Sequence, residues 1–180
     1  MIIGEKVILT KPNRENMITL LKWRNNPLFR QYYREFRETN IDDQMSWYEN
    51  ILLKDPTWHH FVVSPKTDES IIIGIVCLNH IHTQYRTGEF GITLADEKYR
   101  GKGYGKDMLI TLIKYGFDEL NLNRIWCEVY SNNNSINLYK KIGFKSEGIL
   151  REHVYKNGAY LDSHILGMLK KEFNKLYKQA

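Results

Sequence analysis

Between residues 89 and 94, Phe90, Ile92 and Leu94 alternate with Glu89, Gly91 and Thr93. That period of two predicts a strand with one apolar face. Further on, Met108, Leu109, Leu112, Ile113, Gly116 and Leu120 recur at helical spacing, which predicts a helix. The six residues Arg-Gly-Lys-Gly-Tyr-Gly at 100–105 lie between them and suit neither element. Around this unit, apolar runs predict strands over 7–10, 58–64, 71–79, 124–130, 150–155 and 160–169. The second and third of these form a hairpin about 65–69, and the last two a hairpin about Lys156-Asn157-Gly158. Helices are predicted over 14–23 (Met17, Leu20 and Leu21 inward), 28–38, 44–54 and 135–141, the last stopped by Gly143. Residues 170–178 are an amphipathic tail. The pattern is that of an α+β chain, and its length suits one domain over 1–180.

Composition narrows the function classes. No window is long and apolar enough to cross a membrane, and the start at Met1 lacks a signal peptide's basic and apolar segments, so a cytoplasmic location without membrane contact is expected. Cys77 and Cys127 each sit in an apolar run and read as core thiols. The net charge is +5, with acids interspersed among bases and no basic stripe, which argues against nucleic acid and for a polyanionic cofactor. His80 and His82 share a strand face, but no third ligand accompanies them and no metal is expected.

Strand, glycine loop and helix start together make an anion cradle. Glycine lets the backbone come close to a ligand, and the first N–H groups of a helix lack internal partners. Arg100, Lys102 and Lys106 add full charges. The spacing Gly101, Gly103, Gly105 does not fit the dinucleotide pattern G-x-G-x-x-G, and Asp107 after Gly105-Lys106 breaks the ATP-loop pattern. On its own the loop also fits a glycine-rich helix start with no ligand. Arg100-x-x-Gly103-x-Gly105 resembles the coenzyme A pyrophosphate loop of the GCN5-related N-acetyltransferases (GNAT). A second stretch, Asn132-Asn-Asn-Ser135-Ile-Asn-Leu-Tyr139-Lys-Lys-Ile-Gly143-Phe144, resembles the other half of that family's signature. The resemblance runs from about Val7 to Leu169. Residues 147–151 and 155–162 look most like the RimJ/RimL and spermidine acetyltransferase branch.

This resemblance implies a GNAT fold, a mixed and mostly antiparallel sheet of about seven strands with helices on both faces. It implies an enzyme that moves an acetyl group from acetyl-CoA directly to a primary amine, releasing CoA. The cofactor arm would lie where strand 89–94 splays from strand 124–130, against the backbone of Ile92, Thr93 and Leu94. Its pyrophosphate would sit on Arg100, Gly101, Lys102, Gly103, Tyr104, Gly105 and Lys106, while Asn132 and Ser135 would touch the arm. Tyr139 matches the family's acid for the departing thiolate. An amine of pKa ~10.4 is neutral in only about one molecule in a few thousand at pH 7, so its proton must go somewhere. Glu89 is the first candidate base, against water alone or a plain ion pair of Glu89 with Arg86 or a lysine. Segment 28–38 would wall the acceptor, with Arg30, Arg34 and Arg37 on one helical face and Tyr33 among them. That face suits an anionic acceptor such as an amino sugar nucleotide; a solvated face paired with Glu35 and Glu38 fits equally well. A polyamine and a protein N-terminus are the other acceptors the resemblance implies. A non-catalytic acetyl-CoA sensor or partner-binding module is the alternative reading, and a homodimer is left open.

Overall fold

A computed structural model describes residues 1–178. Its strands are β1 (Ile2–Ile3), β2 (Val7–Thr10), β3 (His59–Pro65), β4 (Gly74–His82), β5 (Thr87–Leu94), β6 (Arg124–Tyr130), β7 (Lys145–Lys156) and β8 (Ala159–Leu169). The helices are α1 (Asn16–Asn25), α2 (Pro27–Arg30), α3 (Ile41–Trp47), α4 (Tyr104–Asp118), α5 (Ser135–Ile142) and α6 (Lys170–Tyr177). The eight strands form one sheet in the order β1-β2-β3-β4-β5-β6-β8-β7. Only β5 and β6 run parallel. The strand absent from the sequence reading is β1, whose two residues are too few to show a period.

Alternation along β3 sorts its side chains between two cores. Phe61 and Val63 join Met108, Leu112 and Ile113 of α4 in the main core, which also takes Ile142 of α5 and Phe173 of α6. Val62 points the other way, to Met17 and Leu20 of α1 with Met45 and Trp47 of α3. Helices thus cover both faces. The chain ends these helices as its residues dictate: Gly143 follows α5 at φ 116°, and Asn157 and Gly158 turn the β7–β8 hairpin at φ 51° and 83°.

One expected helix is not there. Residues 31–38 leave the helical path after α2, which is capped at its start by the Asn26 side chain. Lys156 Nζ donates to the carbonyls of Gln31 and Tyr33, which a helix would need for the N–H groups of Glu35 and Arg37. The Arg37 N–H goes to the Glu35 carboxylate instead, at 2.9 Å. Arg30, Arg34 and Arg37 therefore share no face. Arg30 pairs with Glu38, Arg37 with Glu35, and only Arg34 reaches the carboxylates of β5 and β6.

Candidate active site

β5 and β6 pair only through Thr87–Arg124, Gly88–Ile125 and Glu89–Trp126. Beyond that point β5 runs on to Leu94 and β6 to Tyr130 with nothing between them. From Phe90 onward the β6-facing edge of β5 is an open ladder, and open N–H and C=O groups take a strand-like partner. The gap is the middle of one cavity of about 1300 Å³ that reaches from the glycine loop to the aromatic side chains of α1, α3 and β3.

At one end stands the cradle. Gly101 and Gly103 hold φ 71° and 86°, the left-handed region that glycine enters without strain. Gly105 has no such need, and a methyl group there would meet only Leu138 at an ordinary 3.7 Å. Packing within the chain therefore does not require glycine at 105, whereas close approach of a ligand would. The backbone N–H groups of residues 101–106 have no acceptor among the described residues, and all of them lie at or before the first turn of α4. These observations fit a pyrophosphate. Asp107, the residue that spoils the ATP-loop pattern, faces away. It is buried and accepts hydrogen bonds from the N–H groups of Glu5, Lys6 and Val7 at 3.1, 2.7 and 3.0 Å, tying the β1–β2 turn to α4.

In the middle, Tyr139 of α5 is buried with its ring edge-on to Phe90 at 5.1 Å. Burial, then the neighbouring Cys127, raises the pKa of its phenol above the ordinary value, with Ser135 opposing, so the hydroxyl keeps its proton. Burial also pushes the Cys77 thiol up to about 12, so it stays protonated at neutral pH.

Arg34 stands opposite, between two carboxylates. Its guanidinium donates to both oxygens of Glu89, at 3.0 and 2.5 Å, and twice to Glu128, at 3.2 and 2.8 Å. Burial alone would lower the arginine's pKa, but these two partners outweigh it and raise it. Glu128 also takes the Ser163 hydroxyl at 2.6 Å and lies 3.0 Å from His153 Nδ1. Burial works against its charge, yet Ser163, Arg34 and His153 together hold its carboxyl below the usual range. Tyr33, one residue before Arg34, shares a 2.9 Å hydrogen bond with Thr93 of β5. The loop 31–38 is thus fastened across the splayed strands.

Residues 6–145 match the model of the acetyltransferase (GNAT) domain family. The chain belongs to the GNAT family of acetyltransferases. It is 35% identical to the uncharacterized N-acetyltransferase YokL of Bacillus subtilis over 74% of its own length and 73% of that protein's. It is 31% identical to a spermidine N(1)-acetyltransferase of Vibrio cholerae over 83% and 84%. The crystal structure of spermidine N-acetyltransferase from Vibrio cholerae in complex with CoA and spermine superposes with a TM-score of 0.86 at 26% identity, covering 93% of this chain and 98% of that one. The protein is an N-acetyltransferase, and its acetyl donor is acetyl-CoA.

The acetyltransferase gathers most of the residues singled out in the sequence around one cavity. Ile92, Thr93, Leu94, Arg100, Gly101, Gly103, Gly105, Lys106, Ser135, Tyr139 and Glu89 all line it, as do Tyr33 and Arg34. Lys102 is exposed outside the lining, and Tyr104 packs edge-on to Tyr99 at 4.8 Å. Asn132 is also exposed and outside the lining; its neighbours Asn133 and Asn134 stand at the rim. Arg30 and Arg37 do not reach the cavity. Glu89 does form an ion pair, but with Arg34, since Arg86 bonds Asn121. Sequence reasoning missed Glu128. It stands on the strand facing Glu89 across the gap, a position recoverable from the expected splay of the two strands.

Proposed function

We propose that the acetyltransferase passes the acetyl group directly to the primary amine of a small molecule entering from the aromatic end of the cavity. The carrying observation is the continuity of the cavity: donor cradle, splayed strands and aromatic end form one space, with the Tyr139 phenol at its centre. The pyrophosphate rests on the N–H groups of 101–106 beside Arg100 and Lys106. The open edge of Ile92–Leu94 pairs with the cofactor's amide-bearing arm as an added strand would. Ser135 stands at the start of α5 beside the same path. The neutral Tyr139 hydroxyl donates a hydrogen bond to the sulfur as charge builds on it; as the phenol is a weaker acid than a thiol of pKa ~8.5, the departing thiolate takes its proton from solvent. Arg34 occupies both oxygens of Glu89, so a water held against that carboxylate takes the amine's proton.

On the acceptor side, relatives named for spermidine favour a polyamine, and Glu89 with Glu128 is a pair of carboxylates suited to an ammonium. Here Arg34 already bridges that pair, so a polyamine must compete with it. The case for an anionic acceptor held by three arginines lapses with their separation. We read 1–180 as one catalytic domain, working in the cytoplasm where its thioester is made. The test is release of free CoA thiol from acetyl-CoA by the purified protein, with spermidine, spermine, simple alkylamines and short peptides each added in turn. Thiol release that depends on an added amine supports the reading. CoA binding by calorimetry with no amine-dependent release would make the chain a sensor instead.

A further inference from the structure

Three charged side chains of the cavity wall have no counter-charge among the described residues: Lys106, Lys141 and Arg24. Lys106 and Lys141 stand at the donor end, on α4 and α5, where the proposed pyrophosphate would supply the anion. Arg24 stands at the other end, on α1. It is partly buried, and its guanidinium lies 5.9 Å over the Trp47 ring. None of its N–H groups meets an acceptor among the described residues. Every other arginine except the exposed Arg151 binds a carboxylate or a carbonyl oxygen.

A guanidinium does not shed its charge on burial, as a lysine or a histidine does. The face of Trp47 attracts it, but an aromatic face leaves the in-plane N–H donors unused. Its neighbours supply no anion. Burial raises the pKa of the Tyr33 phenol, with Thr93 and Arg24 opposing, so that group is neutral. Burial chiefly, with Arg24 among the lesser causes, pushes the His60 pKa down to about 4, so that ring is neutral at pH 7 as well. An ion pair made in such a recess is screened less than one at an open surface.

The gap between β5 and β6 carries the opposite sign. Glu89 and Glu128 share the single guanidinium of Arg34, which leaves one negative charge over. Glu35 is matched by Arg37 and Glu97 by Arg100. The acceptor half thus has a negative excess in the gap, where an amine arrives as an ammonium, and a positive excess at its far end. Trp23, Trp47 and Trp58 line that end and offer apolar faces to a hydrocarbon spacer.

We propose that the acceptor is a primary amine joined by an apolar spacer to a carboxylate, and that Arg24 receives the carboxylate. One fork of N–H donors matches one carboxylate in charge and shape, whereas the dianion of a phosphate monoester would leave a charge over. The second ammonium of a diamine would face Arg24, a like charge in a poorly screened recess. The proposal rests on acetylation in the gap of an amine that enters from the aromatic end.

Matched acceptors test it: 4-aminobutanoate, 6-aminohexanoate and 8-aminooctanoate, each beside the alkylamine and the diamine of the same length, with spermidine alongside. At one length or more the amino acid should exceed both partners about tenfold in kcat/KM, the effect of one charge-assisted bidentate contact. Added salt should shrink that advantage. Arg24→Met should bring amino acid and alkylamine together by raising KM for the former, and Arg24→Glu should turn the preference toward the diamine. Acetyl-CoA affinity, read by calorimetry, reports that each variant is folded. Equal kcat/KM at every length, or a wild-type preference for the diamine or spermidine, overturns the subsite while leaving acetyl transfer intact. A preference that survives both substitutions overturns it as well. If no amine is acetylated, the transfer reading fails, and the subsite is read from calorimetric binding of 6-aminohexanoate to the CoA-bound protein. Absence of that binding, or binding indifferent to Arg24→Met, overturns the subsite separately.

Discussion

At the scale of single residues, the site is built from groups whose charge is fixed by neighbours. Tyr139 is held neutral by burial, which suits a hydrogen-bond donor that must still own its proton when the thiolate leaves. Tyr139→Phe keeps the ring against Phe90 and removes only that donor, so kcat should fall by about one to three orders of magnitude while CoA binding persists. Rapid-quench turnover with calorimetry checks both halves. Glu128 is the opposite case, a carboxyl kept charged against burial. Because its folded pKa is depressed, its contribution is whole above the ordinary value of 4.5 and fades as pH falls through the folded one. Wild type should therefore melt above Glu128→Gln at pH 7, and the gap should narrow as pH falls below 4.5. A gap that stays constant across that range would mean the pair adds nothing. Glu89 was legible as a candidate because the family resemblance places a base near the start of that strand. Its partner was not, because Arg34 is 55 residues away and reaches it only through the tertiary path of a loop.

Elements show the same division. Strands and helices with a clean apolar period were legible to within a few residues, and so were their stops at Gly143 and Asn157-Gly158. Segment 28–38 had helical spacing but is helical only as far as Arg30, since Lys156 and Thr93 bind groups beyond it that a helix would have arranged otherwise. Spacing describes what a segment would do alone; contacts from β5 and β7 decide here. The start of α4 is where the element itself carries the function. Gly105→Ala should raise helix stability by up to about 1 kcal/mol, since alanine is the better helix former and the new methyl has room. On the proposed placement of the cofactor the same methyl stands where the phosphates approach, so CoA affinity should drop about tenfold. A melting temperature that rises while affinity falls separates ligand contact from folding; affinity rising or staying level would move the cradle elsewhere.

Across the whole molecule, the sheet carries donor and acceptor ends on one support and splits between β5 and β6 to let them meet. The mixed, mostly antiparallel sheet and the splay followed from the family resemblance, whereas the reach of the cavity into α1 and α3 did not. That half is assembled from side chains as far apart in sequence as Trp23 and Trp58, and no motif links them. Asp107 gives the fold a further property. Its carboxylate accepts from the amides of residues 5–7, near the start of the chain, from the first turn of α4, the proposed seat of the phosphates. In deuterated water those three amides should exchange slowly for so early a segment, and more slowly again when CoA is added, as the turn beneath them tightens. Mass spectrometry of the leading peptide would then report cofactor binding through the Asp107 tie, beside the Lys6 ammonium that already rests on the carbonyl of Lys102.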